Sequence, residues 1–227
     1  MGLLVLLLLG YSLLRLADAR CFALTGEAIC HVETDAPVVA LSLDDGPTPQ
    51  GVATATAALR RAGAHATFFL IGSAVEQHPE LVRQILADGN EVGNHSYSHV
   101  RMIGRPSAFY DAEIGRTDTA LRRAGVAAPN LFRPPYAKKL IGLPRAVARH
   151  GYKMILWDVE DPRGARDPAD YAARIVRQAR PGSIVLMHLM YSHNGNARAA
   201  LPLVLRGLQA RGFKVVTVGE LLKLRRR

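Results

Sequence analysis

Two adjacent carboxylates, Asp44 and Asp45, follow the apolar run 38–43 and precede Gly46-Pro47. Neighbouring carboxylates repel each other unless a positive charge lies beside them, and a bound metal cation is a common source of that charge. The pair therefore suggests a hydrolytic metal site. Asp, Gly and Pro are also ordinary turn residues, so a solvated turn after a strand is the alternative.

Two imidazoles, His95 and His99, are spaced four residues apart. In one helical turn this spacing would bring both rings to the same side, which suits metal binding. With Asp45 as a third ligand, the set favours zinc or another divalent ion with water in the open positions. Asp44 would then remain free to act as a base. The alternative is a surface turn with two unrelated histidines.

Two further motifs add an arginine and a third histidine. Arg133 lies in Phe132-Arg133-Pro134-Pro135-Tyr136, where two prolines restrict the backbone. This rigidity would hold Arg133 near the carboxylates and leave the backbone N–H of Tyr136 free to bind an oxyanion. His188 follows the apolar run 183–187 and could protonate a leaving amine. The alternative for the Arg133 motif is a plain exit from a strand, and the alternative for His188 is a buried structural histidine.

Short apolar runs alternate with segments of helical spacing, which predicts parallel βα units. The predicted strands are 38–43, 66–71, 91–94, 131–134, 153–159, 183–187 and 214–218. The predicted helices are 52–61, 74–87, 107–123, 144–149, 168–179 and 198–210. Such units form either a closed barrel or an open doubly wound sheet, and in both the active site lies at the carboxyl ends of the strands. The candidate residues all follow strands.

The chain begins with an apolar stretch that ends in Ala17-Asp18-Ala19. This pattern predicts a signal peptide over residues 1–19, cleaved after Ala19, with an uncleaved membrane anchor as the alternative. Export would place the protein in the periplasm or cell envelope. Cys21 and Cys30 are the only cysteines, and in an exported chain they predict a disulfide.

The 227 residues are 49% hydrophobic and carry a net charge of +10, which fits one domain with a sizeable core. The positive charge would attract the protein to anionic envelope polymers or lipid head groups. The arginines are scattered apart from a basic tail at 223–227, and no basic stripe is interleaved with aromatic residues. This pattern argues against a nucleic-acid partner.

In their order along the chain, four motifs resemble the polysaccharide deacetylase superfamily, also called the NodB-homology or carbohydrate esterase family 4 group. They are 41–47, 95–99, 133–136 and 186–188, within a domain predicted to span 37–222 after an extension at 20–36. The resemblance implies a distorted (β/α) barrel of about seven parallel strands with outer helices. It also implies hydrolysis of N-acetyl groups on amino sugars of a glycan, by a metal-activated water and without an organic cofactor.

The resemblance assigns a role to each matching residue. The metal, zinc or else cobalt or another divalent ion, would be bound by Asp45, His95 and His99. Asp44 would be the general base, oriented by Arg133, and His188 the general acid. The backbone of Tyr136 would stabilise the oxyanion. The pocket for the acetyl methyl and sugar would be lined by Leu186, Pro135 and Tyr136.

The chain departs from the family pattern where an Asp-Trp pair is usual, since Arg163-Gly164 stands there. We expect Asp161 to tether Arg133 instead, and Trp157 to belong to the core. Two other functions remain open: a catalytically silent glycan-binding relative, and a hydrolase of a small non-glycan amide.

Overall fold

The computed structural model describes Gly2, Gly10, Tyr11 and residues 19–226. Most of the predicted signal peptide at 1–19 therefore lies outside the described residues, and both its cleavage and its alternative as an anchor stay predictions. Within the part that is described, no helix is long and apolar enough to span a membrane.

Residues 19–226 contain eight strands and eight helices. The strands are β1 (Ala28–Ile29), β2 (Val38–Asp44), β3 (Thr67–Leu70), β4 (Glu91–Asn94), β5 (Leu131–Phe132), β6 (Lys153–Ile155), β7 (Ile184–His188) and β8 (Lys214–Val216). The helices are α1 (Pro49–Ala62), α2 (Gly72–Gln77), α3 (Pro79–Ala87), α4 (Ser107–Arg123), α5 (Gly142–Arg149), α6 (Pro168–Gln178), α7 (Gly195–Ala210) and α8 (Val218–Leu222). A single 3₁₀ turn covers Pro135–Ala137.

The strands form one parallel sheet in the order β1-β6-β5-β4-β3-β2-β7, and β8 pairs with the first half of β2. Single bridges from His31 to Ser183 and from Val159 to Val185 link the two ends of this order. The sheet therefore curls into a distorted (β/α) barrel with helices outside it, as the family resemblance implied; the strand and helix pattern alone had left an open sheet as the alternative.

Strand β2 is buried along its whole length and separates two apolar clusters. Val39, Leu41 and Leu43 pack in the cluster under the outer helices. Val38 and Ala40 belong to the other cluster, in which they join Phe69, Leu186 and Val216 of the neighbouring strands. Because side chains alternate along a strand, Ser42 and Asp44 share the inward face with Ala40. The strand period thus directs Asp44 into the barrel.

Most predicted elements are found within a few residues of their predicted ends. The predicted helix 74–87 is in fact two helices, since α2 ends at Gln77 and α3 starts at Pro79, where proline suits a first helical position and disrupts a helix interior. Strand β1 has only two residues, and α8 only five with a Thr217–Glu220 capping box. Both were missed because they are too short to show a period.

The predicted disulfide between Cys21 and Cys30 is confirmed. It lies in the extension that leads to β1, and Arg20 beside it forms an ion pair of 3.3 Å with Glu160. The buried Lys139 ammonium donates a hydrogen bond of 2.6 Å to the Ala19 carbonyl. The extension is therefore packed against the barrel from residue 19 onward.

Gly182 and Gly212 allow a test of how tightly the loops are packed. Both have left-handed φ values, +80° and +83°, but a Cβ on Gly182 would lie 1.8 Å from the Val32 carbonyl oxygen, whereas one on Gly212 would meet nothing within 4 Å. We expect Gly212→Ala to lower the free energy of unfolding by about 1 kcal/mol through φ alone, and Gly182→Ala by about 3 kcal/mol or more through φ and the clash. Urea denaturation measures both. Equal losses would contradict the packing described here.

Candidate active site

The deepest part of the candidate site is an ion pair between Arg133 and Asp44. Arg133 follows β5 and is fully buried, and its Nη1 donates to Asp44 Oδ1 at 2.6 Å and to Ser42 Oγ at 2.8 Å. Its Nε and Nη2 donate to the carbonyls of Ile155 and Leu156 at 3.3 and 3.0 Å. The guanidinium is thus fixed by groups at the ends of β2 and β6, and it orients Asp44 as predicted.

Asp45 occupies the turn that ends β2. Its φ of 75° is unusual for a residue with a side chain, and its carboxylate points to the same region as Asp44. Asp45 Oδ1 lies 3.2 Å from His99 Nε2 and 3.8 Å from His95 Nε2. Both imidazoles therefore converge on Asp45, which agrees with the predicted ligand set.

The segment His95–His99 is a loop, so the prediction of one helical turn is wrong. Ser96 and His99 have positive φ values of 65° and 54°, and the Asn94 side chain accepts a hydrogen bond from Ser96 N. The two rings still come together, with centroids 4.9 Å apart. Convergence results from the loop conformation, not from helical periodicity.

A residue that the sequence reasoning missed, Glu113 of α4, holds this loop. Its buried carboxylate accepts hydrogen bonds from the amides of Tyr97 and Ser98 at 3.0 and 2.9 Å, and from Ser98 Oγ at 2.8 Å. Glu113 lies on the buried face of α4 with Tyr110 and Ile114. An acidic residue on an apolar helical stripe was the signal that could have identified it.

Asp161 contacts His188, so its predicted role as the tether of Arg133 is wrong. Asp161 Oδ2 accepts hydrogen bonds from His188 Nδ1 at 2.5 Å and from His188 N at 3.1 Å, and Tyr171 OH donates to Asp161 Oδ1. The tether was unnecessary because Arg133 is already held by Ser42 and two main-chain carbonyls. Asp161 instead orients the His188 ring at the end of β7.

These residues surround one open cavity of about 790 Å³. Its walls include Asp44, Asp45, His95, His99, Pro134, Tyr136, Trp157, His188 and Tyr191. Two predicted pocket residues, Leu186 and Pro135, are buried and are not among its lining residues, because Leu186 belongs to the same apolar cluster as Val38 and Ala40. Tyr136 is half exposed, with its ring 4.9 Å from that of His99. Trp157 is buried as predicted and is also one of the residues that line the cavity.

Burial and neighbouring charges give the two carboxylates different proton affinities. Burial acts against the Asp44 anion, but Arg133, His95 and His188 outweigh it and hold the Asp44 pKa below its usual value. Burial and then the Asp44 charge raise the pKa of Asp45 to about 7. The carboxylate beside the arginine is therefore the stable anion, whereas the charge of His188 offsets only part of the penalty on Asp45.

The three histidines of the site also differ from one another in pKa. Burial lowers the pKa of His95 to about 4 and also lowers that of His99. For His188, burial acts against the charged form, but the hydrogen bond to Asp161 and the charge of Asp44 prevail and raise its pKa to about 9. Near neutral pH the site thus has two neutral imidazoles beside Asp45 and one protonated imidazole.

The neutral pair and Asp45 fit a divalent metal ion. One ligand atom from each of Asp45, His95 and His99 lies within 4.8 Å of the others. His95 Nδ1 donates to the Arg133 carbonyl at 2.8 Å, which leaves the Nε2 lone pair available to a metal. Asp45 Oδ1 is buried and accepts no hydrogen bond within the described part of the chain. One imidazole nitrogen each from His95 and His99 and one carboxylate oxygen from Asp45 therefore form a ligand set that suits zinc.

Comparison with known proteins agrees with this arrangement. The family model for polysaccharide deacetylase matches residues 31–155. The peptidoglycan-N-acetylglucosamine deacetylase of Bacillus cereus is 32% identical over 202 residues, which cover 88% of this chain and 94% of that protein. The chain belongs to the polysaccharide deacetylase family.

Other members of the polysaccharide deacetylase family are similarly close. The chitooligosaccharide deacetylase of Azorhizobium caulinodans is 32% identical over 187 residues, which cover 76% of this chain and 89% of that protein. The Bc1960 peptidoglycan N-acetylglucosamine deacetylase superposes with a TM-score of 0.82 at 25% identity, over 87% of this chain and 94% of its own. A family 4 pseudoenzyme from Bacillus anthracis superposes with a TM-score of 0.81 at 25% identity, over 92% and 72%.

Glu113 provides a test of how the metal loop is held. We expect Glu113→Ala to weaken zinc binding about tenfold or more, because two loop amides lose their acceptor and His99 is no longer held in position. Calorimetric titration with zinc measures the affinity. Glu113→Gln retains one carbonyl oxygen as an acceptor and should fall between the wild type and Glu113→Ala. Unchanged zinc affinity in Glu113→Ala would contradict this role.

Asp161 provides a test of the proton held on His188. Since the Asp161 carboxylate raises the pKa of His188, Asp161→Asn should shift that pKa downward, toward the ordinary value near 6.5. A step that requires protonated His188 is lost as pH rises through this pKa, so the alkaline limit of activity should move to lower pH. NMR titration of the ring and a pH–rate profile measure the two effects. An unchanged alkaline limit would rule out this coupling.

Proposed function

We propose that this protein is a metal-dependent hydrolase that removes N-acetyl groups from amino sugars of a glycan, either peptidoglycan or a chitin-like oligosaccharide. The observation that carries the proposal is the presence, around one cavity, of an arginine-bound carboxylate, a metal-ligand triad and a carboxylate-bound histidine. The two substrate classes come from the relatives, whose names include peptidoglycan and chitooligosaccharide deacetylases.

Asp45, His95 and His99 would hold the metal, for which zinc is the best match and cobalt or another divalent ion the alternative. A divalent ion bound there would polarise an amide carbonyl and acidify a water molecule. Asp44 is the proposed general base, because Arg133 keeps it ionised at neutral pH. Arg133 thus positions the base and lies too deep to touch a substrate.

His188 is the proposed general acid. Asp161 fixes its ring through Nδ1 and stabilises its protonated form. An amine is a poor leaving group unless it receives a proton, and a protonated imidazole can supply one. The backbone N–H of Tyr136, at the cavity wall, is proposed to donate to the oxyanion. Acid and base therefore hold opposite protonation states at the same pH.

Two other functions have weaker support. The pseudoenzyme among the structural relatives shows that this fold does not guarantee turnover. Here, however, all the proposed acid, base and ligand side chains are in place around the cavity. A cavity of about 790 Å³ lies well within the range for drug-sized ligands, and it is larger than a small non-glycan amide requires.

We also propose that the protein is exported to the cell envelope, either by a cleaved signal peptide or with an N-terminal membrane anchor. The Cys21–Cys30 disulfide supports export, because disulfides persist in oxidising compartments. Under this proposal the expected partner is an N-acetylated envelope glycan.

Acetate release from peptidoglycan and from chitooligosaccharides, with added zinc, tests the proposed function. Asp44→Asn should lower turnover at least about a hundredfold because the general base is lost, while the fold retains a polar partner for Arg133. Asp88→Asn is a matched control, since Asp88 forms an ion pair with Arg60 and does not line the cavity. No acetate from either glycan, with zinc bound, would favour the silent binding protein.

A further inference from the structure

An exposed aromatic face beside the candidate active site has no role in the proposed chemistry. Tyr191 lies on the cavity wall with Asp45 and His188, yet 39% of its surface is exposed. Among the exposed large hydrophobic side chains of the described residues, only Tyr136 and Tyr191 line this cavity. An aromatic ring that is open to solvent on a cavity wall offers a large apolar contact surface to whatever enters the cavity.

The Tyr191 ring is backed by a second ring. The side chain of His193 lies parallel to it, with centroids 5.5 Å apart and an interplanar angle of 7°. His193 therefore supports one side of Tyr191 in an offset parallel arrangement. Stacking restricts the rotation of both side chains, so the surface that they present has a fixed orientation.

The loop that carries these rings is firmly held. The guanidinium of Arg198 donates to the carbonyls of Leu189, Tyr191 and Ser192 at 2.9, 2.5 and 2.9 Å. Thr48 Oγ1 donates to the Met190 carbonyl at 2.7 Å. A ring that is already fixed loses little conformational entropy when a ligand stacks on it.

The same loop packs directly on the segment that follows Asp44 and Asp45. A Cβ on Gly51 would lie 2.5 Å from Met190 Sδ and 2.9 Å from Met190 Cα, so only glycine allows this approach. Burial, followed by the nearby charge of Asp45, raises the pKa of the Tyr191 phenol to about 12. The phenol is therefore neutral at physiological pH, and its ring lines the same cavity as the candidate metal ligands Asp45, His95 and His99.

A neutral, rigid aromatic face suits a pyranose ring. The C–H bonds on one face of a pyranose form an apolar surface that stacks on an aromatic ring, while its hydroxyls remain free to form hydrogen bonds at the edge. A planar amide side chain or a small acyl group would cover only part of the Tyr191 face. The chemistry of this surface therefore matches a sugar unit.

We propose that Tyr191, supported by His193, binds the sugar next to the one that is deacetylated, so that this ring determines how strongly the protein prefers a longer chain to a single sugar. This inference rests on the proposed function and adds a subsite to it. It makes Tyr191 a specificity-determining residue. A free amino sugar or a small amide would occupy the metal site without reaching the Tyr191 face.

The test compares kcat/KM on N-acetylglucosamine and on its linear oligomers from two to four units. For the wild type, the ratio of tetramer to monomer should be well above one. Tyr191→Ala should lower that ratio about tenfold, mainly through KM on the tetramer, which is the size of effect expected for one aromatic stacking contact. Tyr191→Phe keeps the stacking face and should restore the ratio. Phe22→Ala, an exposed aromatic residue outside the cavity wall, should leave the ratio unchanged.

Equal losses on monomer and tetramer in Tyr191→Ala would overturn the inference, as would a Tyr191→Phe variant as poor as Tyr191→Ala. If the wild type releases no acetate at all, the proposed function fails, and calorimetric binding of the tetramer replaces the kinetic ratio. If Tyr191→Ala then binds the tetramer more weakly than the wild type does, the sugar subsite is still supported. If the two proteins bind it equally, or if the wild type does not bind it, the subsite is excluded.

Discussion

The burial of Arg133 is the constraint on which the rest of the site depends. A guanidinium with no solvent exposure is costly unless its charge is paired and its N–H groups find acceptors. Asp44, Ser42 and the carbonyls of Ile155 and Leu156 meet both needs, and the ring of Phe69 lies 4.1 Å from the guanidinium carbon. Removal of one partner of such a buried pair costs about 3–5 kcal/mol. The barrel therefore cannot open at this end without leaving a buried charge unpaired or exposing it to solvent.

This ion pair also separates the roles of two neighbouring carboxylates. Asp44 receives the charge of Arg133, so Asp45 bears the repulsion and has a raised pKa. A cation beside Asp45 would remove that penalty, and the two neutral imidazoles add ligands without adding charge. Two adjacent residues can therefore provide a stable anion and a metal ligand, because Arg133 pairs with Asp44 and not with Asp45.

The sequence predicted most of the fold because apolar runs that alternate with segments of helical spacing mark βα units. It predicted the convergence of His95, His99 and Asp45 because parallel strands have their carboxyl ends at one edge of the sheet. It failed where side chains far apart in sequence decide the local structure. The loop 95–99 is shaped by Glu113 on α4, and local spacing cannot show that contact. Asp161 was expected to pair with Arg133 because a side-chain acceptor was sought for the guanidinium. Two of its acceptors are main-chain carbonyls, and the identities of the side chains cannot reveal such contacts.

The close approach of Gly51 to Met190 has a consequence for where along a polymer the reaction takes place. Since the backbone that follows Asp44 and Asp45 is in contact with the loop that carries Tyr191, the distance between the aromatic face and the hydrolytic centre is set by the packed protein and not by a hinge. A glycan bound to both would be held at a constant offset. The unit that reaches the hydrolytic centre would then be the one directly linked to the unit stacked on Tyr191.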